Sequence, residues 1–450
     1  MGFGRRSAPK GEASQSASSR CCFRSKCRNF RSHRKGKSSK ERSGTATKEP
    51  KQRRLQSLQP PQGSLMIFVD YAGSVFPFVA HSPWHGVRLA DFVTPFFLFI
   101  AGISLSLVYK KTSNKLRATQ QAVLRALELF LLGILLQGGY FHGVNSLSFG
   151  IDVEKIRWSG ILQRIAVGYV VAAVCEIWLS NTPRNAGHVG VFFRNYFLHW
   201  IVLVSLSGIY LGLLYGLYVP DWQFEVQQAN LSDSYKNSTY IIKKVTCGVR
   251  GDLGPACNSA GMIDRYVLGI EHLYKKSAYR NLKVCQNTEG GGFSDNLPSW
   301  CQAPFDPEGI LGSFMTAVTC ILGLQYGHIL VQLEDHKDRL KHWLQFSVSV
   351  FSFGLFLNLI GDPLNKQLYT VSYALLTTGS AGLTFCALYV LVDVGGYRCL
   401  TGILEWMGRH SLSIFILVPS NIAIIILQGF YWRNPKNNIV HWVLSFTAHR

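Results

Sequence analysis

Charged residues are scarce in this sequence of 450 residues, and they lie in blocks between long apolar runs. Only 16% of the residues are charged, whereas 48% are hydrophobic. A soluble chain of this length would be expected to form two or three domains, and its surface helices would carry amphipathic stripes. The runs here are apolar on every side, which argues against a soluble helical bundle.

Several motifs of nucleotide-dependent and metal-dependent enzymes are missing. The sequence contains no P-loop, no dinucleotide fingerprint, no zinc-ligand spacing and no GxSxG element. The glycine run at 290–292 is not followed by a helix that would bind a phosphate. We therefore expect no metal site and no nucleotide fold of these types.

Acidic residues are also few, and the shortage is greatest at the start of the chain. The formal net charge is +21, and residues 1–62 contain 17 Lys and Arg against three acidic residues. This segment has almost no large apolar side chains and is predicted to be disordered. A cytosolic tail attracted to anionic lipid is the favoured interpretation; a transit peptide and an error in gene prediction are the alternatives. No folded basic surface that would bind nucleic acid follows it.

The apolar runs predict about nine transmembrane helices, because about 20 apolar residues cross the hydrocarbon core of a bilayer. The runs are 64–79, 92–109, 121–139, 160–179, 197–219, 309–333, 342–361, 369–393 and 403–430. We expect an all-α polytopic integral membrane protein with one large loop. Its predicted parts are a basic tail (1–62), helices one to five (63–219), a loop subdomain (220–308), helices six to nine (309–430) and a short tail (431–450).

The positions of Lys and Arg predict the orientation. The turns at 110–120, 180–196, 334–341 and 394–402 are all basic and are assigned to the cytosol, which places the loop 220–308 in the lumen. This loop contains two glycosylation sequons, at Asn230 and Asn237. It also contains four cysteines that are compatible with two disulfides of open connectivity: Cys247, Cys257, Cys285 and Cys301.

The first hairpin, 69–92, is the densest group of polar residues next to predicted membrane helices. Asp70 interrupts an apolar segment, where an unpaired carboxylate is costly. His81 lies at the predicted lumenal boundary, and Asp91 opens the next helix. An imidazole beside a carboxylate can take a proton from an attacking amine or hydroxyl. The alternatives are a packing role for His81, a surface position for His85 and an N-cap role for Asp91.

A second polar group is RWSGILQR, at 157–164. Arg157 and Arg164 are seven residues apart, nearly two helical turns, so they are predicted to share a helix face with Gln163 adjoining. Arginines on the lumenal side oppose the charge bias and indicate an anionic ligand such as a phosphate. The alternative is a pair of salt bridges to Asp152 or Glu154.

Two further groups are assigned to structure rather than to chemistry. In the segment DPEG, Asp306 is predicted to cap a helix that starts at the following residues. His410, on the predicted cytosolic side, is interpreted as an interfacial packing residue.

Ordered motifs along residues 64–442 resemble the heparan-α-glucosaminide N-acetyltransferase family, in particular its plant-type branch. The motifs are FVDYAG, HSPWHG, LADFVTPFFLFIAGISLSL, RWSGILQRIAVGY, GMIDRYVLGIEHLY, DPEGILGSF and LYTVSYALL. The resemblance implies a lysosomal or vacuolar membrane enzyme that uses cytosolic acetyl-CoA as co-substrate. Members of this family N-acetylate a terminal glucosamine in the lumen, but the acceptor of this chain stays open.

The resemblance also assigns site residues. The family's active-site histidine, in H-x-x-W-x-G, falls on His81, and its motif aspartate falls on Asp91. The polar residue eleven positions before the histidine falls on Asp70, where the animal enzymes have Asn. The LQR segment ends in Gln163 and Arg164, which with Arg157 are expected to bind the anionic groups of acetyl-CoA.

The chain departs from the family pattern at both ends. Residues 53–66, RRLQSLQPPQGSLM, lack the family's FRG segment and most of its first helix, and the end VLSFTAHR also differs. His85 replaces a usual Asn. An inactive family member is therefore one alternative, and a solute transporter is another, although no internal repeat typical of transporters is evident. Membrane lipid, a small-molecule or glycan acceptor and, as an option, a second copy in a homodimer are the expected partners, with no nucleic acid.

Overall fold

The computed structural model describes residues 68, 69, 76, 78–109, 114–137, 156–180, 196–227, 240–274, 278–286, 298–396, 408 and 410–417. All of them belong to one compact unit, Pro50–Arg450. The tails predicted at 1–62 and 431–450 lie outside the described residues, so their assignment stays a prediction.

The described chain is mainly α-helical. Its elements, in order, are α1 (Val93–Tyr109), α2 (Lys115–Gln137), α3 (Ile161–Leu179), α4 (Phe197–Gly216), β1 (Trp222–Gln227), β2 (Tyr240–Val245), α5 (Ser259–Val267), α6 (Lys283–Gln286), α7 (Ile310–Gln332), α8 (His336–Ile360), α9 (Val371–Tyr389) and α10 (Ser411–Leu417). A 3₁₀ turn, Leu89–Phe92, leads into α1, and a π-helical turn, Val390–Val394, ends α9.

Seven helices of the described residues are long and apolar enough to cross a membrane. They are Leu89–Tyr109, Lys115–Leu136, Ile161–Leu179, Phe197–Gly216, Ile310–Gln332, His336–Ile360 and Val371–Val394. Each coincides with a predicted span, which confirms seven of the predicted helices. The other two, 64–79 and 403–430, lie largely outside the described residues, and the total of nine stays a prediction.

Helix α7 forms the centre of the bundle and packs against α1, α3, α4 and α9. Its approach to α1 requires glycine at two positions. A Cβ atom at Gly102 would collide with the carbonyl oxygen of Cys320, and one at Gly323 would collide with that of Phe99. Small residues allow two membrane helices to approach this closely. The outer helices α2, α4 and α8 bury much less of their surface, as expected for helices that face hydrocarbon.

One end of the bundle gathers the first hairpin, the loop after α4 and the turn at 361–370, and is named the site end here. The indole nitrogen of Trp84 donates to the carbonyl of Leu253 over 2.9 Å, which joins the hairpin to the loop. The backbone nitrogen of Gly86 donates to the carbonyl of Leu364 over 2.7 Å, which joins the hairpin to the turn. The predicted topology assigns all three segments to the lumen.

The loop after α4 contains a two-stranded antiparallel sheet and two disulfides. Strands β1 and β2 pair from Trp222 opposite Val245 to Gln227 opposite Tyr240. The disulfides join Cys247 to Cys257 and Cys285 to Cys301, so the four cysteines do form two disulfides and their pairing is now defined. Short 3₁₀ turns complete the described loop, at Ile270–His272, Ala278–Asn281 and Ser299–Gln302.

Candidate active site

The site end places His81 directly against Asp91. The Nδ1 atom of His81 lies 2.9 Å from Oδ1 of Asp91. The carboxylate is fully buried, whereas 49% of the imidazole side chain is exposed. This contact is made through Nδ1 and leaves Nε2 as the other ring nitrogen. The predicted proximity of an imidazole to a carboxylate is therefore present in the structure.

The hairpin backbone fixes the carboxylate of Asp91. Its Oδ2 atom accepts hydrogen bonds from the backbone nitrogens of Ser82, over 3.1 Å, and Arg88, over 2.9 Å. The alternative that Asp91 is an N-cap is wrong. Arg88 is the N-cap, and Asp91 is the third residue of the 3₁₀ turn. One carboxylate oxygen thus holds the turn while the other contacts His81.

Lys366, in the turn between α8 and α9, is a site residue that the sequence did not reveal. Its Nζ atom lies 2.8 Å from Nδ1 of His81 and 3.4 Å from Oδ1 of Asp91. Burial lowers the pKa of Lys366 below its ordinary value, although Asp91 and Glu308 act in the opposite direction. The available signal was a basic residue in a turn on the predicted lumenal side, against the charge bias.

Local hydrogen bonds give the turn around Lys366 a defined shape. The side-chain oxygen of Asn365 accepts from the backbone nitrogen of Leu368 over 3.0 Å, and the hydroxyl of Thr370 donates to the carbonyl of Pro363 over 2.8 Å. Tyr369 has a φ of 58°, which is rare for a residue with a side chain. Such backbone strain needs surrounding structure to hold it.

Arg157 lies in an ion-pair network with two carboxylates. Its Nε and Nη2 atoms donate to Asp306 over 2.8 and 2.6 Å, and Nη2 also donates to Glu308. Burial opposes the charge of Arg157, but Asp306 and Glu308 outweigh it and raise the pKa of Arg157 above its ordinary value. Salt bridging is therefore observed, with partners other than the predicted Asp152 and Glu154, which lie outside the described residues.

The predicted helix face shared by Arg157 and Arg164 is wrong. Helix α3 begins at Ile161 with Gly160 as its N-cap, so Arg157 lies in the segment before the helix. The prediction assumed one continuous helix and missed the glycine that starts it.

Arg164 and Gln163 line a cavity of about 330 Å³ at the site end of α3. Arg164 is 4% exposed and Gln163 is 3% exposed. Within the described part of the chain, Nε and Nη2 of Arg164 and both amide atoms of Gln163 have no hydrogen-bond partner. The guanidinium carbon lies 5.2 Å from the ring centre of Tyr369. Buried polar groups normally have partners, so this arrangement fits a ligand with anionic or polar atoms.

The helix cap predicted for Asp306 is supplied by another residue. The N-cap of α7 is Gly309, and the backbone nitrogen of Ile310 donates to Oδ1 of Asp264 over 2.8 Å. Asp306 instead accepts from the backbone nitrogen of Glu308 and binds Arg157. The prediction followed local spacing, whereas the cap comes from the loop, 46 residues earlier.

Three predictions remain, on Asp70, on His85 and on metal binding. Asp70 lies outside the described residues, so its role stays a prediction. His85 is exposed, as the surface alternative for it requires. Among the residues that the structure describes, no group of three or more His, Cys, Asp and Glu side chains is arranged to hold a metal ion.

Sequence comparison finds two curated relatives, although no protein-family model matches the chain. The chain is 29% identical over 377 residues to the heparan-alpha-glucosaminide N-acetyltransferase of Mus musculus, and 27% identical over 372 residues to that of Homo sapiens. Each alignment covers 78% of this chain but only 52% or 50% of the relative, so the chain spans about half the length of the curated relatives it matches. The resemblance found in the motifs is confirmed: this helical chain is similar, over most of its length, to heparan-α-glucosaminide N-acetyltransferases.

Proposed function

We propose that this chain is a membrane acetyltransferase that moves the acetyl group of acetyl-CoA to an amine, or a hydroxyl, of a sugar-like acceptor on the lumenal side. The observation that carries the proposal is the half-exposed imidazole of His81, backed by the buried carboxylate of Asp91. The two similar N-acetyltransferases support the same class of reaction.

Two chemical routes use the same atom of His81. In direct transfer, Nε2 takes a proton from the acceptor amine while the amine nitrogen attacks the thioester carbonyl. The carbon–sulfur bond then breaks, and Nε2 passes this proton to the leaving thiolate of CoA. In two-step transfer, Nε2 itself attacks the carbonyl, and the carbon–sulfur bond breaks to release the thiolate of CoA. The acceptor amine then attacks the acetyl group, the bond between Nε2 and the acetyl carbon breaks, and the proton lost by the amine balances the proton taken up by the thiolate. Both routes require an unprotonated Nε2 at the start.

Asp91 serves either route through the other ring nitrogen. A carboxylate that accepts a hydrogen bond from Nδ1 fixes the tautomer with a free lone pair on Nε2, and it stabilises the ring when Nε2 gains a proton. The hydrogen bonds from Ser82 and Arg88 hold this carboxylate in place. Asp91 is therefore assigned as the orienting residue.

Arg164 and Gln163 are the residues proposed to bind acetyl-CoA. Both residues line the cavity beside α7, and their buried unpartnered atoms match the polar and anionic groups of this co-substrate. Arg157 already binds two carboxylates, so we assign it a supporting role that positions Glu308 at the cavity. The proposed location is a lysosomal, vacuolar or other endomembrane, with the site end in the lumen. The glycosylation sequons that favour a lumenal loop, at Asn230 and Asn237, lie outside the described residues.

The first experiment measures transfer of labelled acetyl from acetyl-CoA to glucosamine by the purified, detergent-solubilised chain. We expect acetylated product from the wild type, loss of it in His81→Ala, and retention in His85→Ala. His85 is a matched control because it is an exposed histidine of the same hairpin.

Absence of product from a folded wild-type sample would contradict the proposal as stated. Restoring the family's first-helix sequence in residues 53–66 then separates the alternatives. Recovered activity would identify a damaged enzyme. Continued inactivity, together with uptake of labelled glucosamine into proteoliposomes without acetyl-CoA, would identify a transporter.

A further inference from the structure

The Nδ1 atom of His81 faces two partners that place opposite demands on it. Asp91 Oδ1 lies 2.9 Å away and Lys366 Nζ lies 2.8 Å away. A carboxylate accepts a hydrogen bond only from a protonated Nδ1, whereas an ammonium donates only to an unprotonated Nδ1. In a neutral ring the two contacts therefore correspond to two different tautomers.

The two tautomers differ in what they offer a reactant. When Nδ1–H donates to Asp91, Nε2 has a lone pair and can accept a proton or attack a carbonyl. When Lys366 donates to Nδ1, the proton of the ring is on Nε2, and that edge can only donate. Lys366 also lies 3.4 Å from Asp91 Oδ1, so a small movement of its Nζ atom exchanges one arrangement for the other.

Lys366 itself lies among charged groups of both signs. The charged groups that face Lys366 are Asp91 from the 3₁₀ turn, Glu308 from the segment before α7 and Arg164 from α3. The side chain of Lys366 is 16% exposed, so water screens these charges only in part.

We propose that Lys366 is a positioning residue that competes with Asp91 for Nδ1 of His81 and thereby determines which ring nitrogen carries the proton. The inference rests on the proposed acetyl transfer by His81. The turn between α8 and α9 then acts on the proton position of His81, in addition to its hydrogen bond with the hairpin.

Two variants of Lys366 test the proposal. Lys366→Met removes the charge and keeps most of the side-chain volume, and Lys366→Arg keeps the charge. Lys337→Met is the control, because Lys337 is an exposed lysine at the start of α8, away from the site end. The ring nitrogens of ¹⁵N-histidine-labelled protein are followed by NMR through a pH titration, and the His81 signals are assigned by their absence in His81→Gln. The pH profile of acetyl transfer is recorded in parallel.

In Lys366→Met we expect the Nδ1–H tautomer of His81 to predominate. Without the competing donor, Nδ1 is left to donate to Asp91. Lys366→Arg and Lys337→Met should keep the wild-type tautomer.

An unchanged tautomer in Lys366→Met, with normal folding, would overturn the proposal. If Lys366→Met does not fold, Lys366→Gln takes its place under the same criteria. The NMR titration does not depend on turnover, so a wild type without transferase activity would count against the proposed function alone.

Discussion

Two histidine–carboxylate pairs lie at opposite ends of the bundle and differ mainly in access. At the site end, His81 contacts Asp91 over 2.9 Å and half of its side chain is exposed. At the other end, His328 contacts Glu176 over 2.7 Å, and their side chains are only 3% and 5% exposed. The bonding is similar, so exposure decides which pair can meet a reactant.

The groups around the two pairs also differ: one pair is enclosed by the spanning helices, and the other is open. The Glu176–His328 pair joins α3 to α7, His199 lies 3.7 Å from the same carboxylate, and the ring of Tyr196 stacks on His328 at 3.9 Å. These partners come from the spanning helices or the residue before them. The His81–Asp91 pair instead lies on a hairpin with a cation from another turn. We infer a structural role for the enclosed pair and a chemical role for the open one.

The largest effect is expected for Asp91→Asn. The change removes the charge that orients His81, so kcat/KM for acetyl transfer should fall by about 10²–10⁴-fold. The control is Asp362→Asn, since Asp362 also accepts a helix-start hydrogen bond, from Ser372 over 2.8 Å, at the same end of the bundle. If both variants lose activity equally, the effect of Asp91 is one of capping and not of catalysis.

A smaller effect on binding is expected for Arg164→Met. Loss of a charged donor in the cavity should raise KM for acetyl-CoA by about 10–100-fold, the equivalent of one or two charge-assisted hydrogen bonds. Arg157→Met should instead destabilise the fold by about 3–5 kcal/mol, because it leaves the carboxylates of Asp306 and Glu308 without their partner. Steady-state kinetics and thermal unfolding of both variants measure the difference. An unchanged KM in Arg164→Met would remove Arg164 from the proposed acetyl-CoA site.

At the enclosed pair we expect a loss of stability without a loss of rate. Glu176→Gln replaces a charged hydrogen-bond acceptor of His328 by a neutral one, which should cost about 1–3 kcal/mol of unfolding free energy. The rate per folded molecule should stay at the wild-type level. A lower rate in fully folded protein would show that the enclosed pair takes part in turnover, and would contradict the structural role inferred for it.

The last effect is expected for Asp264→Asn and depends on pH. Burial raises the pKa of Asp264 to about 7, whereas an aspartate in the unfolded chain titrates near 3.9. The folded state therefore binds more protons between about pH 4 and 7, so this group lowers the stability as pH rises through that window. The loss is at most about 1.4 kcal/mol for each unit of difference in pKa.

Asp264→Asn should remove this pH dependence while its side-chain oxygen still accepts from Ile310. Chemical unfolding at pH 4 and pH 7 measures it, with Asp252→Asn as the control in the same loop. Equal slopes for wild type and Asp264→Asn would contradict the assignment.

The sequence predicted the features that depend on local composition. Seven spans follow from runs of apolar residues, and His81 with Asp91 follows from polar residues beside them. The four loop cysteines predicted two disulfides but not their pairing. Each of these signals lies within one short segment, where hydropathy or spacing is informative.

The sequence did not predict contacts between distant segments. Lys366 is 285 positions from His81, and His328 is 152 positions from Glu176. No local pattern links either pair. The prediction that Arg157 lies in the helix was wrong because the first residue of a helix is uncertain by a few positions. Gly160 caps α3, so the helix begins after Arg157.

The most direct test compares His81→Ala with His328→Ala in the same acetyl-transfer assay, with rates normalised to the folded fraction measured by thermal unfolding. The open pair should be needed for chemistry, so His81→Ala should lose the rate and keep the stability. The enclosed pair should be needed for the fold, so His328→Ala should lose stability and keep the rate per folded molecule. A His81→Ala protein with the wild-type rate, or a folded His328→Ala protein without activity, would contradict the account.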